Sequence, residues 1–178
     1  SEMDKAVRHV VRKQATAGID IGNDGEQQRV GFQTYVPQRM SGFAGVSKRR
    51  RGREFEEFPE MMEYLKHRFP HVSKQQNAPE AQDEVRYLDI KPLQEEIARI
   101  KRIAAEEKAF PELFMTAPSP GIISSTMINA HYDSHDAYLE ALAREMRHEY
   151  QEIHKQGLIL QIDAPDLAMD RSMFHRDL

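Results

Sequence analysis

At 178 residues and a formal net charge of −4, the chain can bury one sizeable core, and a single domain over residues 1–178 is the default expectation. The charge gives no overall attraction to nucleic acid or an anionic membrane, and no apolar run approaches the ~20 residues of a membrane span. Cysteine is absent, which excludes disulfides, thiolate metal ligands and a cysteine nucleophile within these residues and suits a cytoplasmic protein.

Predicted helices and strands alternate along the chain, the helices from apolar spacing near 3.6 residues and the strands from short apolar runs. In chain order they begin with a helix over 3–17 ended by Gly18, a strand over 19–23 and a partly helical stretch over 54–69 broken by Pro59. A strand over Val85–Ile90, a helix from Pro92 to about residue 108 and a strand over Leu113–Thr116 follow. The last two are a helix over about 135–156, capped by Ser134 or Asp133 and ended by Gly157, and a strand over Leu158–Ile162. Such alternation predicts an α/β fold with a parallel sheet and right-handed crossovers. Four strands suffice for a small doubly wound domain or half of an eight-stranded barrel, whereas a complete barrel needs ~250 residues.

Two of the predicted strands end on carboxylates. The strand over 19–23 leads into Asp24-Gly25-Glu26, and the last strand runs into Asp163-Ala164-Pro165-Asp166. Because ligands bind at the carboxyl ends of parallel strands, we expect these distant stretches to meet at one rim. Carboxylates there suit a cationic or amino-bearing substrate. The alternative is that Glu26 and Asp163 cap helices or pair with Arg29 and Arg171.

Two further patterns are interpreted as surface features. His131 and His135 have the i, i+4 spacing of some zinc helices, but they lack the intervening glutamate of the hydrolytic motif and straddle a predicted helix start. We expect exposed loop histidines there. The basic run over 48–53 is followed at once by glutamates, which favours a solvated loop over a nucleic-acid patch or a localisation signal. That run lies in a predicted surface excursion over 44–84.

Four strings, in order along essentially the whole chain, resemble cobalamin-independent methionine synthase, and most closely its shorter bacterial homologues built on the catalytic barrel alone. The strings are Gly18-Ile19-Asp20-Ile21 through Asp24-Gly25-Glu26-Gln27 to Tyr35 and Ser41-Gly42-Phe43, then Phe114-Met115-Thr116-Ala117-Pro118-Ser119-Pro120-Gly121, then Tyr138-Leu139 with Glu149-Tyr150, and last Leu160-Gln161-Ile162-Asp163-Ala164-Pro165-Asp166-Leu167-Ala168-Met169. The resemblance implies a partial (β/α)8 TIM barrel holding about strands two to five with their helices.

The same resemblance implies a zinc-dependent methyltransferase that transfers a methyl group to a thiol, of the homocysteine-to-methionine type. Glu26 and Asp163 match the family residues that hold the amino group of homocysteine. Ser119 lies in a loop expected to shape the floor of the pocket and is a further substrate-binding candidate. It has no assigned base near it in sequence, so we do not expect it to be a nucleophile.

The departures from the family pattern qualify this expectation. The family's zinc ligands are a His-x-Cys pair, a glutamate and a further cysteine, and this chain ends at Leu178 before any of them. Met169 stands where methionine synthase has a folate-contacting glutamate, so folate is only one option for the methyl or alkyl donor. With Ser1 in place of an initiator Met, we expect a partial chain that carries the substrate-amino-binding half, binds no metal and is inactive alone.

An incomplete barrel leaves sheet edges unpaired, which predicts self-association. Two other functions stay open. One is alkyl transfer to another thiol, as in the epoxide-opening coenzyme M enzymes, which need not use Glu26 and Asp163 to hold an amino group. The other is a non-catalytic interaction module that acts through the basic run over 48–53.

Overall fold

The structure, a computed structural model, describes residues 1–31, 34–48, 57–68 and 78–173. Within these ranges it has seven helices and five strands. The helices are α1 (Glu2–Thr16), α2 (Val36–Arg39), α3 (Pro59–Arg68), α4 (Lys91–Glu107), α5 (Pro120–Thr126), α6 (His135–Lys155) and α7 (Asp166–Met173). The strands are β1 (Ile21–Gly22), β2 (Met40–Ala44), β3 (Glu80–Tyr87), β4 (Glu112–Pro118) and β5 (Ile159–Asp163).

Three strands form a parallel sheet in the order β1–β4–β5. The register of β4 and β5 aligns Phe114 with Ile159 and Pro118 with Asp163, so the two strands end side by side. β1 is short and pairs only with the first two residues of β4. The expected α/β fold with a parallel sheet is confirmed at this level.

The core lies where the long helices pack on one another and on the sheet. α1 packs against α4, and α6 contacts α4, β4 and β5. Each long helix turns one apolar stripe inward, with residues spaced three or four apart as an amphipathic helix requires. The buried members are Val7 and Val11 of α1, Leu93, Ile97, Ile100 and Ile103 of α4, and Tyr138, Leu142, Met146 and Ile153 of α6.

The prediction of a fourth parallel strand at Val85–Ile90 was wrong. The strand lies at Glu80–Tyr87 and pairs antiparallel with β2, outside the parallel sheet. A bulge interrupts this pair beside Gly42, whose φ is +92°. A side chain at Gly42 would come within 2.7 Å of the carbonyl oxygen of Glu84, so only glycine fits this close approach. An apolar strand pattern does not reveal which partner a strand takes, and β2 lies in a stretch for which no strand was predicted.

The predicted helix boundaries hold for the three long helices. Ser1 and Ser134 cap α1 and α6 by accepting a hydrogen bond from a first-turn amide. Gly18 and Gly157, which follow those helices, have φ of +77° and +79°. The expected break near Pro59 is present, since Phe58 is not helical and lies between helical Glu57 and the start of α3 at Pro59. α5 lies partly in a stretch predicted to be a loop. No helix in the described ranges is both long and apolar enough to cross a bilayer.

Much of the predicted excursion over 44–84 lies outside the described residues, at 49–56 and 69–77. Of the remainder, α3 is largely exposed, whereas Ala78 and Ala81 are buried. The amide of Ala81 donates a hydrogen bond to the carbonyl of Ile128, 3.0 Å away. The end of this segment therefore belongs to the packed part of the molecule.

Ion pairs join α1 to α4 along their exposed edges. Arg8 and Arg12 both bind the carboxylate of Glu107, with Arg12 Nε 2.8 Å from Glu107 Oε2. Hydrogen bonds from these two guanidiniums lower the pKa of Glu107 from 4.5 to about 2. A carboxyl group whose pKa is lower in the folded state stabilises that state above its unfolded pKa.

We predict that Glu107→Gln lowers the melting temperature at neutral pH and that the difference from the unsubstituted chain disappears on acidification. The stabilisation is complete above pH 4.5 and is lost as the pH falls through about 2, where the folded-state carboxyl is protonated. Thermal unfolding followed by circular dichroism across this pH range measures the effect. Glu95→Gln, at an exposed position of α4, is the control. A difference that is independent of pH would contradict the assignment.

Candidate functional site

An open cleft of about 510 Å³ lies at the carboxyl end of the parallel sheet. Glu26, Ile162, Asp163, Ala164 and Pro165 line it. The loop after β1 supplies Glu26, and the end of β5 with the residues after it supplies the rest. Two of the three predicted site residues, Glu26 and Asp163, are thus brought to the same cleft from distant parts of the sequence.

A tight turn after β1 sets the position of Glu26. Gly25 and Glu26 both have positive φ, 64° and 56°, as the central residues of a type I′ turn do. Asp24 Oδ1 accepts a hydrogen bond from the amide of Glu26 at 2.9 Å, and Asn23 Oδ1 accepts one from the amide of Gly25 at 2.9 Å. A positive φ is unfavourable for a residue with a side chain. The surrounding hydrogen bonds hold Glu26 in this conformation.

Asp163 is the last residue of β5 and is partly exposed. Gln161 Nε2 donates a hydrogen bond to Asp163 Oδ1 at 2.7 Å, and the amide of Ser119 donates one to the backbone carbonyl of Asp163 at 2.9 Å. The second bond fixes the end of β5 beside the end of β4. The backbone under this carboxylate is therefore well anchored.

Ser119 has a structural role next to the cleft. Its hydroxyl caps α5 by accepting from the amide of Ile122 at 3.1 Å, and donates to Asp166 Oδ1 at 2.6 Å. The Asp166 carboxylate lies so close to Gly121 that a side chain there would come within 2.0 Å of it. Ser119 is 7% exposed. Its part in substrate binding stays a prediction, beside a helix cap that sequence analysis did not anticipate.

Arg29 was considered as a partner of Glu26, and the structure gives it other partners. Its side chain is 3% exposed, and its Nη1 donates to the backbone carbonyl of Thr116 at 2.8 Å. Its Nε lies 3.4 Å from Glu96 Oε2. Glu26 instead accepts a hydrogen bond at Oε1 from the hydroxyl of Thr116, at 2.8 Å. The side chain of Arg171, considered as the partner of Asp163, lies outside what the structure describes.

Behind the cleft, two arginines and two glutamates form a buried ion network: Arg29, Arg39, Glu96 and Glu149. Arg39 pairs with both carboxylates, through Nη2 to Glu96 Oε1 and through Nη1 to Glu149 Oε1 at 2.9 Å. Glu149 is 1% exposed. The two charges of each sign balance, which is what burial of ionised groups requires.

Two tyrosines complete the network. The hydroxyls of Tyr35 and Tyr87 each donate to Glu149 at 2.8 Å. The ring of Tyr35 lies under the guanidiniums of Arg29 and Arg39, each 4.5 Å from its centroid, in cation–π contact. Glu149 therefore accepts from three donors, and its buried charge is well solvated by the protein.

Burial and ion pairing shift the pKa values of Glu96 and Arg39 in opposite directions. Burial raises the pKa of Glu96, and the guanidiniums of Arg29 and Arg39 offset only part of that effect. Burial would lower the pKa of Arg39, but Glu149 and Glu96 outweigh it, and the pKa lies above its usual value. Burial, followed by the charge of Glu149, raises the pKa of Tyr35 well above 10. Arg39 is thus charged and Tyr35 protonated at neutral pH.

Sequence analysis missed this network, although a signal was present. Glu96 lies three residues after Leu93 and four before Ile100, and Glu149 bears the same relation to Met146 and Ile153. Both glutamates therefore interrupt the apolar stripes of α4 and α6. A charged residue on such a stripe is rarely buried without a partner.

The described residues contain no group of three or more His, Cys, Asp or Glu side chains arranged to hold a metal ion, and the sequence has no cysteine. His131 and His135 are exposed, as expected, but His135 is the first residue of α6 and not a loop residue. Of the basic run, residues 49–53 lie outside the described part of the chain.

The fold is similar to that of a B12-independent methionine synthase from Shewanella sp. W3-18-1, solved in complex with selenomethionine. The TM-score is 0.63 at 19% sequence identity, over 95% of this chain and 44% of the synthase chain. At that identity the similarity shows the fold alone. This chain spans less than half the length of that synthase. No protein-family model matches the sequence, and no curated protein matches it.

We predict that Arg39→Met destabilises the fold by about 3–5 kcal/mol, because it leaves Glu96 and Glu149 buried with too few positive partners. The free energy of unfolding from urea titration measures this. Arg144→Met is the control, since Arg144 is 57% exposed and pairs with Glu145 at the surface, where a pair contributes about 1 kcal/mol or less. Equal losses for the two variants would show that the buried network adds nothing particular to stability.

Proposed function

We propose that this chain is the substrate-amino-binding part of a methionine-synthase-like methyltransferase, with Glu26 and Asp163 holding the ammonium group of a homocysteine-like thiol. The observation that carries the proposal is that both carboxylates line one cleft at the carboxyl end of a parallel sheet. A fold similar to that of a methionine synthase, itself solved with the amino acid selenomethionine, supports it. The proposed architecture is a partial TIM barrel.

The proposed chemistry of these residues is electrostatic. An ammonium group between two carboxylates makes charge-assisted hydrogen bonds, which are about twice as strong as neutral ones. One oxygen of each carboxylate already accepts a protein hydrogen bond, from Thr116 on Glu26 and from Gln161 on Asp163. Among the described residues no hydrogen bond is made to Glu26 Oε2 or Asp163 Oδ2, so both oxygens are available to a ligand.

The proposal assigns this chain no zinc and no chemical step of methyl transfer. Its residues would bind and orient the thiol substrate, while activation of the thiol would belong to residues of a longer protein. The methyl or alkyl donor, with folate as one option, is likewise left to such a protein.

We predict that Glu26→Gln and Asp163→Asn each weaken binding of L-methionine and L-homocysteine by about tenfold or more, because each removes one charged hydrogen-bond acceptor. Amide chemical shifts in an NMR titration of the purified chain measure the affinity. Glu112→Gln, exposed at the start of β4 and so at the opposite end of the sheet, should bind like the unsubstituted chain.

Two outcomes would overturn the proposal. One is that neither amino acid shifts the amides of 24–26 or 163–165 at millimolar concentrations. The other is that 2-mercaptoethanesulfonate, a thiol without an amino group, binds as well as homocysteine and is unaffected by both substitutions. The second result would favour the alternative of alkyl transfer to another thiol.

We also propose that the chain associates with a second copy of itself through the parallel sheet. Within the described residues β1 and β5 are the edge strands of that sheet, and each has an unpaired edge. Ile21, Ile159 and Ile162 on these strands are exposed. An exposed apolar strand with a free edge favours pairing with another strand, and the edge of an identical chain offers the same groups.

We predict that sedimentation velocity in the micromolar range shows a dimer or larger species. Ile159→Lys should shift the equilibrium toward monomer, because it places a charge on the edge strand β5, where Ile159 is 44% exposed. Leu88→Lys, exposed just beyond β3 and off the parallel sheet, is the matched control. A monomer at all concentrations would contradict the proposal.

A further inference from the structure

Thr116 lies at the junction between the cleft and the buried ion network. Its hydroxyl donates to Glu26 Oε1 at 2.8 Å, and its backbone carbonyl accepts from Arg29 Nη1 at 2.8 Å. Thr116 belongs to β4 and is 7% exposed. β1 pairs only with the first two residues of β4, Glu112 and Leu113. Beyond them, the guanidinium of Arg29 donates a hydrogen bond to the Thr116 carbonyl of β4.

The hydroxyl of Thr116 makes two hydrogen bonds, one to Glu26 and one to Arg29. Arg29 Nη1 also lies 3.4 Å from Thr116 Oγ1. A guanidinium has only donors, so the hydroxyl accepts from Arg29. A carboxylate has only acceptors, so the single proton of the hydroxyl is directed to Glu26. The hydroxyl is in this way presented to the cleft carboxylate as a donor.

Arg29 is itself fixed by contacts with the buried interior. Its side chain is buried, its Nε pairs with Glu96 at 3.4 Å, and its guanidinium lies over the ring of Tyr35. Glu96 is in turn paired with Arg39. A continuous chain of contacts thus runs from the rigid interior to one oxygen of Glu26.

We propose that Thr116 is a positioning residue that makes the cleft selective for ligands with an amino group. By holding Glu26 Oε1, it orders the carboxylate and directs Oε2 toward the ligand. This inference rests on the proposed function, because it assumes that Glu26 binds an ammonium. A carboxylate that is ordered before binding loses less conformational freedom when the ligand arrives, and so binds it more tightly.

The test compares Thr116→Val, which removes the hydroxyl at nearly constant volume, with Thr116→Ser, which keeps it. The readout is the ratio of affinities for L-methionine and for 4-(methylthio)butanoate, the same molecule without its amino group, from NMR titrations. Thr116→Val should weaken methionine binding by about three- to tenfold and leave the analogue unchanged. Thr116→Ser should restore the preference. Thr16→Val, at the exposed end of α1, is the control for the chemical change.

A purely structural role for Thr116 would move both affinities together and would overturn the proposal. If Thr116→Val does not fold, Thr116→Ala, which adds no atoms to the buried site, gives the same comparison. In a Glu26→Gln background the loss of the hydroxyl should change nothing further, since the carboxylate it orders is gone.

The failure of this inference is distinguishable from that of the proposed function. If Glu26→Gln abolishes the preference for methionine and Thr116→Val does not, only the positioning role is overturned. If the unsubstituted chain shows no preference and Glu26→Gln has no effect, the proposed function itself fails.

Discussion

The buried, charge-neutral network of Arg29, Arg39, Glu96 and Glu149 holds four separate elements of the chain in one arrangement. It joins the loop after β1, the short helix α2 and the long helices α4 and α6 at one point. A buried ion pair of this kind adds little stability over an apolar replacement, but removal of one member is strongly destabilising. Its consequence is geometric, because few other arrangements of these elements would satisfy all four charges. An element that shifted would leave a charge without a partner.

The geometry of the cleft depends in part on this buried network. Glu26 lies on a turn with two consecutive positive φ values, a conformation maintained by hydrogen bonds that the side-chain oxygens of Asn23 and Asp24 accept from backbone amides. Thr116 and Arg29 then connect the Glu26 carboxylate to the ion network. Asp163 is held from the other side by the alignment of β5 with β4. The two carboxylates are thus fixed by different means, one by a loop anchored on buried charges and the other by a strand register.

How much of the site the sequence predicts depends on the range of the interactions involved. Glu26 and Asp163 were identified because they follow apolar strands, and the carboxyl ends of parallel strands share one edge of a sheet. No local sequence pattern distinguishes Thr116 or Arg29, because a threonine in a strand and an arginine in a loop are ordinary. Glu96 and Glu149 are distinguished in the sequence as carboxylates on apolar helix stripes, but the residues that pair with them are far away in the sequence. Ser119 was linked to the cleft by its loop, and the helix that it caps was not foreseen.

The long helices, the strands that end on carboxylates and the α/β class can be predicted from the sequence alone, because apolar periodicity and capping residues act over a few neighbouring positions. Strand pairing is seen only in the tertiary fold. It placed Glu80–Tyr87 against Met40–Ala44 instead of in the parallel sheet, and it assembled the four buried charges. Strand pairing and ion pairing are satisfied between groups distant in sequence, so the local pattern around each group is the same whichever partner it finds.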